Sequence, residues 1–254
     1  MKTSLSYTLM TGQGPFTFLL RLVFLPLYLV YVVVTVARNA LYDTGLLSPT
    51  SVDVPVISVG NMTTGGTGKT PLVIALAKQG LANGRKVAVI TRGYGAPADD
   101  AGLSDEVVLI RDQVPEAMLV VAPDKLLAAR QAVEQGAEVI LVDDGMQHRR
   151  LDRTVDICVL DARAPLGNGS MLPFGQLREH PGGLGRADLV VATHHEGLSQ
   201  ERLEAVRIAI AGNAGGKSIP VVWGRHRPVG VRSVSSAELQ PEELLEGQEV
   251  HLFC

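Results

Sequence analysis

The chain alternates between short apolar runs and longer stretches in which apolar residues recur every three or four positions. The runs at residues 56–59, 86–91, 107–110, 119–121, 139–142, 157–160 and 189–193 are rich in β-branched residues and predict strands buried on both faces. Helical spacing fills 71–83, 124–135 and 200–211. Gly80, Gly84 and Gly136 mark helix ends, because glycine accepts the left-handed conformation of a C-terminal cap. Strands alternating with helices of this length predict an α/β fold, a mainly parallel sheet with flanking helices. Ligands of such sheets lie beyond the carboxyl ends of the strands. Polar clusters at 60–70, 92–95, 143–148 and 161–168 each follow a strand, so the pattern sets all four along one edge. No internal repeat or low-complexity tract is present.

The first of these clusters carries the strongest chemistry. VPVISVGNMTTGGTGKTPLV, residues 54–73, reads as strand, glycine loop and helix, the P-loop NTPase arrangement. Backbone N–H groups of Thr63, Thr64, Gly65, Gly66, Thr67 and Gly68 can surround phosphate oxygens, and the helix N-terminus adds a favourable dipole. Lys69 would reach the β- and γ-phosphates of ATP, and the Thr70 hydroxyl would bind Mg²⁺. The loop departs from G-x-x-x-x-G-K-[ST] in having Thr63 at its first position. About seventy residues on, EVILVDD ends an apolar strand in Asp143 and Asp144, where P-loop enzymes hold the metal shell. Asp144 also reads as a turn residue before Gly145.

A third feature lies ahead of the loop. Residues 16–36 are 21 positions with one charge, Arg21. Twenty helical residues span about 30 Å, the thickness of a bilayer's hydrocarbon core. Arg21 lies near one end, where it could snorkel, and Pro26 could kink the helix. The uninterrupted run, 22–36, is only 15 residues. A transmembrane anchor, an interfacial or hairpin insertion, a cleaved signal peptide and a buried core helix all fit the pattern. A signal peptide would export a nucleotide site away from ATP, so membrane attachment of residues 1–40 is the expectation. Residues 38–53 read as a connection, and 41–227 as the core that carries the P-loop.

Composition narrows the picture. A chain of 254 residues accommodates one α/β domain with an appendage. Its positive mean hydropathy traces to the N-terminal segment. A net charge of −3 argues against a nucleic-acid binder, and no obligate protein partner is evident. Cys158 and Cys254 form neither a disulfide framework nor a metal spacing, which fits a reducing compartment. From 228 onward the pattern changes to a strand and turn (229–239), a helix start (241–246) and a strand that stops at the chain end (249–253). These predict an incomplete smaller second lobe and a chain that is a fragment of a longer one.

Three stretches together resemble one family, the tetraacyldisaccharide 4′-kinases of lipid A biosynthesis. They are VGNMTTGGTGKTP (59–71), TRGYG (91–95), and DDGMQHRRLDR (143–153) continuing into DARAPLGNGSMLPFGQLRE (161–179). Thr63 agrees with that family's loop. The resemblance implies transfer of the ATP γ-phosphate to the 4′-hydroxyl of a tetraacylated glucosamine disaccharide 1-phosphate. It also implies an inner-membrane location, with the catalytic domain on the cytoplasmic face. LSDEVVLI (103–110) resembles the family's GDEPxLL, with Ser104 for Gly and Val107 for Pro. On that match Asp105 is the catalytic base beside Lys69, and Glu106 joins Thr70 and Asp143 around Mg²⁺. The family's partner histidine for that Asp has no match before residue 254. Arg92, Tyr94, Asp144, His148, Asn168, Arg178 and Glu179 are expected at the lipid headgroup, Arg178 being suited to a phosphate. Two rivals remain: a P-loop ATPase or GTPase driving a membrane partner, and an inactive nucleotide-binding protein. The guanine-reading N-K-x-D motif is absent, and VATHHE (191–196) occupies its place.

Overall fold

The computed structural model describes residues 5–12, 14–93, 104–225, 231–232 and 239–240. It divides into two compact units, Met1–Gly224 and Arg225–Cys254. Of the second, an antiparallel pair is described, β8 (Val231–Arg232) with β9 (Leu239–Gln240). The remainder of the expected second lobe lies outside the described residues.

The first unit is built on seven parallel strands. They are β1 (Val56–Gly60), β2 (Val87–Thr91), β3 (Met118–Val121), β4 (Val139–Asp143), β5 (Val155–Asp161), β6 (Leu189–Thr193) and β7 (Val221–Trp223). Their order is β3-β2-β4-β1-β5-β6-β7, which puts β1 in the centre between two strands that follow it in sequence. Val59 is paired with Asp143 on one side and Ile157 on the other. The carboxyl end of β1 therefore opens beside the tip of β4.

Both faces of the sheet are covered, which is why the strands read as continuous apolar runs. In β2 the side chains alternate. Val87 and Val89 pack with Val73, Ile74 and Ala77 of α3 (Lys69–Ala82), while Ala88 and Ile90 pack with Leu126, Ala128 and Ala129 of α5 (Lys125–Glu134). Farther along, Cys158, Leu160, Val190 and Ala192 pack with Val206 and Ile210 of α6 (Gln200–Asn213). Asp124 caps α5, its Oδ1 accepting from the N–H groups of Leu126 and Leu127.

Two expectations are corrected. Residues 107–110 form part of a helix, α4 (Asp105–Gln113), not a strand. Asp105 and Glu106 in its first turn and Arg111 in its last complement the helix dipole, and Val107 and Ile110 bury one face while Leu109 stays 44% exposed. The β-branched run concealed a spacing of three. The N-terminal helix α2 spans Pro15–Asp43, so the first part of the expected connection, 38–43, is helical. It runs on through Pro26 and ends where Thr44 turns its N–H and hydroxyl onto Ala40 O. Strand β7 was not foreseen, its three residues being too short to show a period.

Helix α2 is about 44 Å long at 1.5 Å per residue, and its sides differ. Tyr28, Tyr31 and Val32 pack on the β5–β6 core, and Tyr28 stacks on Phe174 with ring centroids 4.7 Å apart. Phe16, Phe18, Leu19, Leu22, Val23, Leu29, Val30 and Val33 are exposed. Arg21 does not project freely; its guanidinium donates to Leu9 O of α1 (Leu5–Thr11) at 2.9 and 3.0 Å.

The helical register of α4 can be tested by side-chain truncation. Ile110→Ala should cost about 2–5 kcal/mol in urea unfolding, and Leu109→Ala less than about 0.5 kcal/mol. A strand would instead group Val107 with Leu109, and a larger loss at Leu109 would contradict the helix.

Candidate active site

The loop between β1 and α3 takes its shape from glycine at two points. Gly65 has φ 118° and Gly68 has φ 85°, a left-handed backbone that caps α3 and opens its first N–H groups toward the loop. Neighbours on both sides hold it in place. Thr64 N–H donates to Gln176 O (2.8 Å) and Arg178 N–H to Met62 O (2.9 Å). Thr67, buried, accepts from Asn61 Nδ2 on its hydroxyl (3.2 Å) and from Thr193 Oγ1 on its carbonyl (2.9 Å). The glycine loop is thus fixed by β6 and by the segment around 176–178, while Gly65 and Gly66 stay exposed to a ligand. Lys69 and Thr70 open the helix and are both buried.

Asp143 and Asp144 end β4 with opposite environments. Asp143 is 2% exposed, and its Oδ1 has no hydrogen-bond partner. Burial, reinforced by the nearby Glu106 carboxylate, pushes its carboxyl up to about 6 despite Lys125 and Lys69. Asp144, at φ 54°, turns toward cations. Both its oxygens accept from Arg178 Nη1 at 2.7 Å, and Lys69 Nζ lies 3.8 Å away. Burial opposes its charge, but Arg178 and Lys69 outweigh that and hold the carboxyl below its ordinary value. Behind them Lys125, 2% exposed, donates to Asp143 O at 2.6 Å, and burial lowers its ammonium to about 8. His148 is brought down to about 4 by burial and by the cations Lys125, Arg92 and Arg38, so its imidazole is neutral at pH 7.

Asp144 and His148, but not Asp143 or Lys125, border a cavity of about 720 Å³. Thr64, Lys69, Arg92, Glu106, Asp144, His148, Arg178 and Glu179 all line it, bringing together residues from four parts of the chain. Asp105 does not line it; it is exposed in the first turn of α4, next to Glu106. Asn168 is also exposed and away from the cavity, where it braces its own loop by donating to Phe174 O (2.9 Å) and accepting from Ser170 N–H (3.1 Å). Tyr94 lies outside the described residues. Glu179 lines the cavity yet is 1% exposed, with Arg186 Nη2 at 2.8 and 2.7 Å, Gln147 Nε2 at 3.0 Å and Asn39 Nδ2 at 2.9 Å.

The opposite wall had not been anticipated. Tyr31, Thr35, Arg38 and Asn39 of α2 close the cavity. Tyr31 OH donates to Arg178 O (2.6 Å), Arg38 Nη2 to Gln147 O (3.1 Å), and Arg149 Nη2 returns to Asp43 of the helix at 2.6 Å. Polar residues at 31, 35, 38 and 42 within an apolar helix share one face, a signal present in the sequence.

The residues present suit Mg²⁺. A buried carboxylate oxygen without a donor is costly unless a cation or water meets it, and Asp143 Oδ1 is such an atom, one strand over from the loop that ends in Thr70. Carboxylate and hydroxyl oxygens are hard ligands. Among the described residues no three His, Cys, Asp or Glu gather to cage a metal.

A central strand, a glycine loop opening a helix at Lys-Thr, and an aspartate-tipped neighbouring strand define a P-loop nucleotide-binding protein. The family description "Tetraacyldisaccharide-1-P 4'-kinase" matches residues 20–254, and the chain belongs to that family. It is 41% identical over 230 residues to a tetraacyldisaccharide 4'-kinase of Anaeromyxobacter dehalogenans (strain 2CP-C), covering 84% of this chain and 60% of that protein. With the Syntrophus aciditrophicus (strain SB) protein of the same name it shares 38% over 262 residues, 95% of this chain and 69% of that protein. The crystal structure of the "apo" form of LpxK from Aquifex aeolicus in complex with ATP superposes with a TM-score of 0.69 at 29% identity, covering 91% of this chain and 72% of that one. The chain spans about 60% of the length of the Anaeromyxobacter relative.

The environment of Asp143 has a sign that can be measured. A carboxyl whose pKa rises on folding, here from 3.8 to about 6, burdens the fold where it is ionised, above pH 6, and the burden fades as pH falls toward 3.8. Without metal, Asp143→Asn should therefore be more stable than wild type at pH 7.5 by about 1–3 kcal/mol, with the difference closing near pH 4. Mg²⁺–ATP should stabilise wild type more than the variant. A difference independent of pH would remove the assignment.

Proposed function

We propose that this chain transfers the γ-phosphate of ATP to the 4′-hydroxyl of a tetraacylated glucosamine disaccharide 1-phosphate, a step of lipid A assembly, at the cytoplasmic face of the inner membrane. One observation carries the reading. A single cavity has Lys69 of the P-loop with Arg92 and Arg178 on one wall and, on the other, a helix whose outer side is exposed and apolar. Phosphate chemistry and a lipid-compatible surface meet there. The long apolar helix supports membrane association.

In this reading Lys69 and the loop N–H groups hold the phosphates in line with the acceptor, and Arg178 joins Lys69 in balancing charge on the equatorial oxygens. The acceptor oxygen bonds to the γ-phosphorus, the bridging P–O bond breaks, ADP leaves, and the hydroxyl proton passes to a carboxylate. We assign that proton to Asp105, with Glu106 completing a metal shell founded on Thr70 and Asp143. Mg²⁺ would neutralise the phosphate oxygens. The place of Glu106 in the cavity wall favours a second reading in which the two carboxylates exchange roles. Arg92 and His148 face the sugar, and Glu179 positions Arg178 and the helix. Tyr94 and Asn168 are assigned to the headgroup from the family motif alone.

Lys69→Ala should lower transfer by roughly 10²–10³, the cost of losing one donor to the developing charge; unchanged turnover would refute the phosphate assignment. Asp105→Asn should reduce kcat with little change in KM for ATP, and Glu106→Gln should shift the Mg²⁺ dependence. The opposite pattern would identify Glu106 as the base. Replacing Leu22, Leu29 and Val33 together by Glu spares the packed face and should move the protein from membrane to soluble fraction in high salt. Equal partitioning would remove the membrane assignment.

A further inference from the structure

Arg153 does not line the main cavity, and its side chain is 13% exposed. Its Nη1 donates to Gly145 O and Met146 O, each at 3.2 Å. Its Nη2 lies 3.4 Å from Oδ2 of Asp156, a buried carboxylate of β5. Neither Asp156 oxygen accepts a hydrogen bond of good geometry, so the guanidinium beside it supplies the counter-charge that burial demands. Burial raises the Asp156 carboxyl, and Arg153 is the largest influence opposing it. Glu179 is already engaged by Arg186, Gln147 and Asn39. The strand thus holds the guanidinium through Asp156, and the guanidinium holds two consecutive carbonyls. Those carbonyls follow Asp144 directly. Asp144 has φ 54°, a backbone that a non-glycine residue keeps only where its surroundings dictate it. The same turn is pressed on β1: Gly145 N–H donates to Val59 O at 3.2 Å, and a Cβ on Gly145 would collide with Ser58 Oγ. Held by β1 and by Arg153, the turn sets the Asp144 carboxylate 2.7 Å from Arg178 Nη1 and 3.8 Å from Lys69 Nζ.

We infer that Arg153, fixed by Asp156, is a positioning residue of the nucleotide site: it holds the left-handed turn at Asp144 and through that carboxylate orders Lys69 and Arg178 for the phosphates. The inference rests on the proposed reaction in taking those two cations as phosphate ligands. Arg153 touches no substrate, and its effect passes through Asp144. An arriving nucleotide then meets cations already in place, and less of its binding energy is spent on ordering them.

The pair can be removed without stranding a buried charge. Replacing both members of a buried ion pair by apolar residues of similar volume often leaves a fold as stable as before, whereas removing one member destabilises it. Arg153→Met combined with Asp156→Leu in the full chain should therefore fold, as checked by urea unfolding. It should nevertheless bind Mg²⁺–ATP roughly tenfold more weakly in calorimetric titration, about 1.4 kcal/mol. Arg153→Lys, which keeps a cation and donors for the carbonyls, should retain part of that affinity. The deciding measurement repeats the double replacement in an Asp144→Asn background. There the loss should shrink to about twofold or less, because the carboxylate being positioned is gone. An equal loss in both backgrounds would make Arg153 a packing residue and overturn the inference, as would undiminished affinity in the double replacement. If the double replacement does not fold, Arg153→Lys and Asp156→Asn taken through the same cycle decide by the same criterion. Coupled losses of ATP binding without phosphoryl transfer to the lipid would refute the reaction and leave the role of Arg153 as assigned; transfer with additive losses would do the reverse.

Discussion

A single buried charge organises this molecule. Glu179 is 1% exposed, and an ionised carboxylate taken out of water costs several kcal/mol unless it is paired and hydrogen-bonded. Its partners are Arg186 from the 3-10 turn Pro181–Arg186, Gln147 from the loop after β4, and Asn39 from α2. Satisfying one side chain therefore fixes three elements. The turn must come close to do so: a Cβ on Gly183 would lie 2.6 Å from Glu179 Oε2, which accounts for glycine there. The residues just before Glu179 are the ones that hydrogen-bond the glycine loop, so helix, turn and phosphate site share one fastening.

The same economy appears at the tip of β4. Asp144 sits between Arg178 and Lys69, the two cations a phosphate would need. An incoming phosphate competes with a carboxylate for them, which keeps both side chains ordered and compensated in the ligand-free fold. The Asp143 carboxyl, one residue earlier, keeps an Oδ1 without a hydrogen-bond partner and bears the cost of burial. Adjacent aspartates diverge because the left-handed backbone at Asp144 directs it out of the strand's alternation.

Much of this was legible in the residues. The strand–loop–helix order around Lys69 and the aspartates closing β4 follow from local patterns that burial on both faces makes strong. The helix at Asp105–Gln113 was not legible as such, because β-branched Val107 and Val108 mimic a strand and the deciding fact is which residues find the core. The cavity wall formed by α2 was equally hidden. Its polar stripe is visible, but nothing local says that Tyr31 and Asn39 reach residues 140 and more positions away. Lys125 looks like an ordinary first-turn lysine, and only packing reveals it as buried beneath Asp143.

The place of β1 also governs when the site can exist. This strand lies between β4 and β5, so the glycine loop has no walls until the chain through Asp161 is available to pair. Parallel pairings across some eighty to a hundred residues are slow to close, because loop entropy is spent before contacts form. On a ribosome, a nascent chain that has exposed its Gly-Lys-Thr sequence is still without a nucleotide site. The apolar segment of α2 emerges well before that, so the chain presents its apolar helix before its nucleotide site is complete.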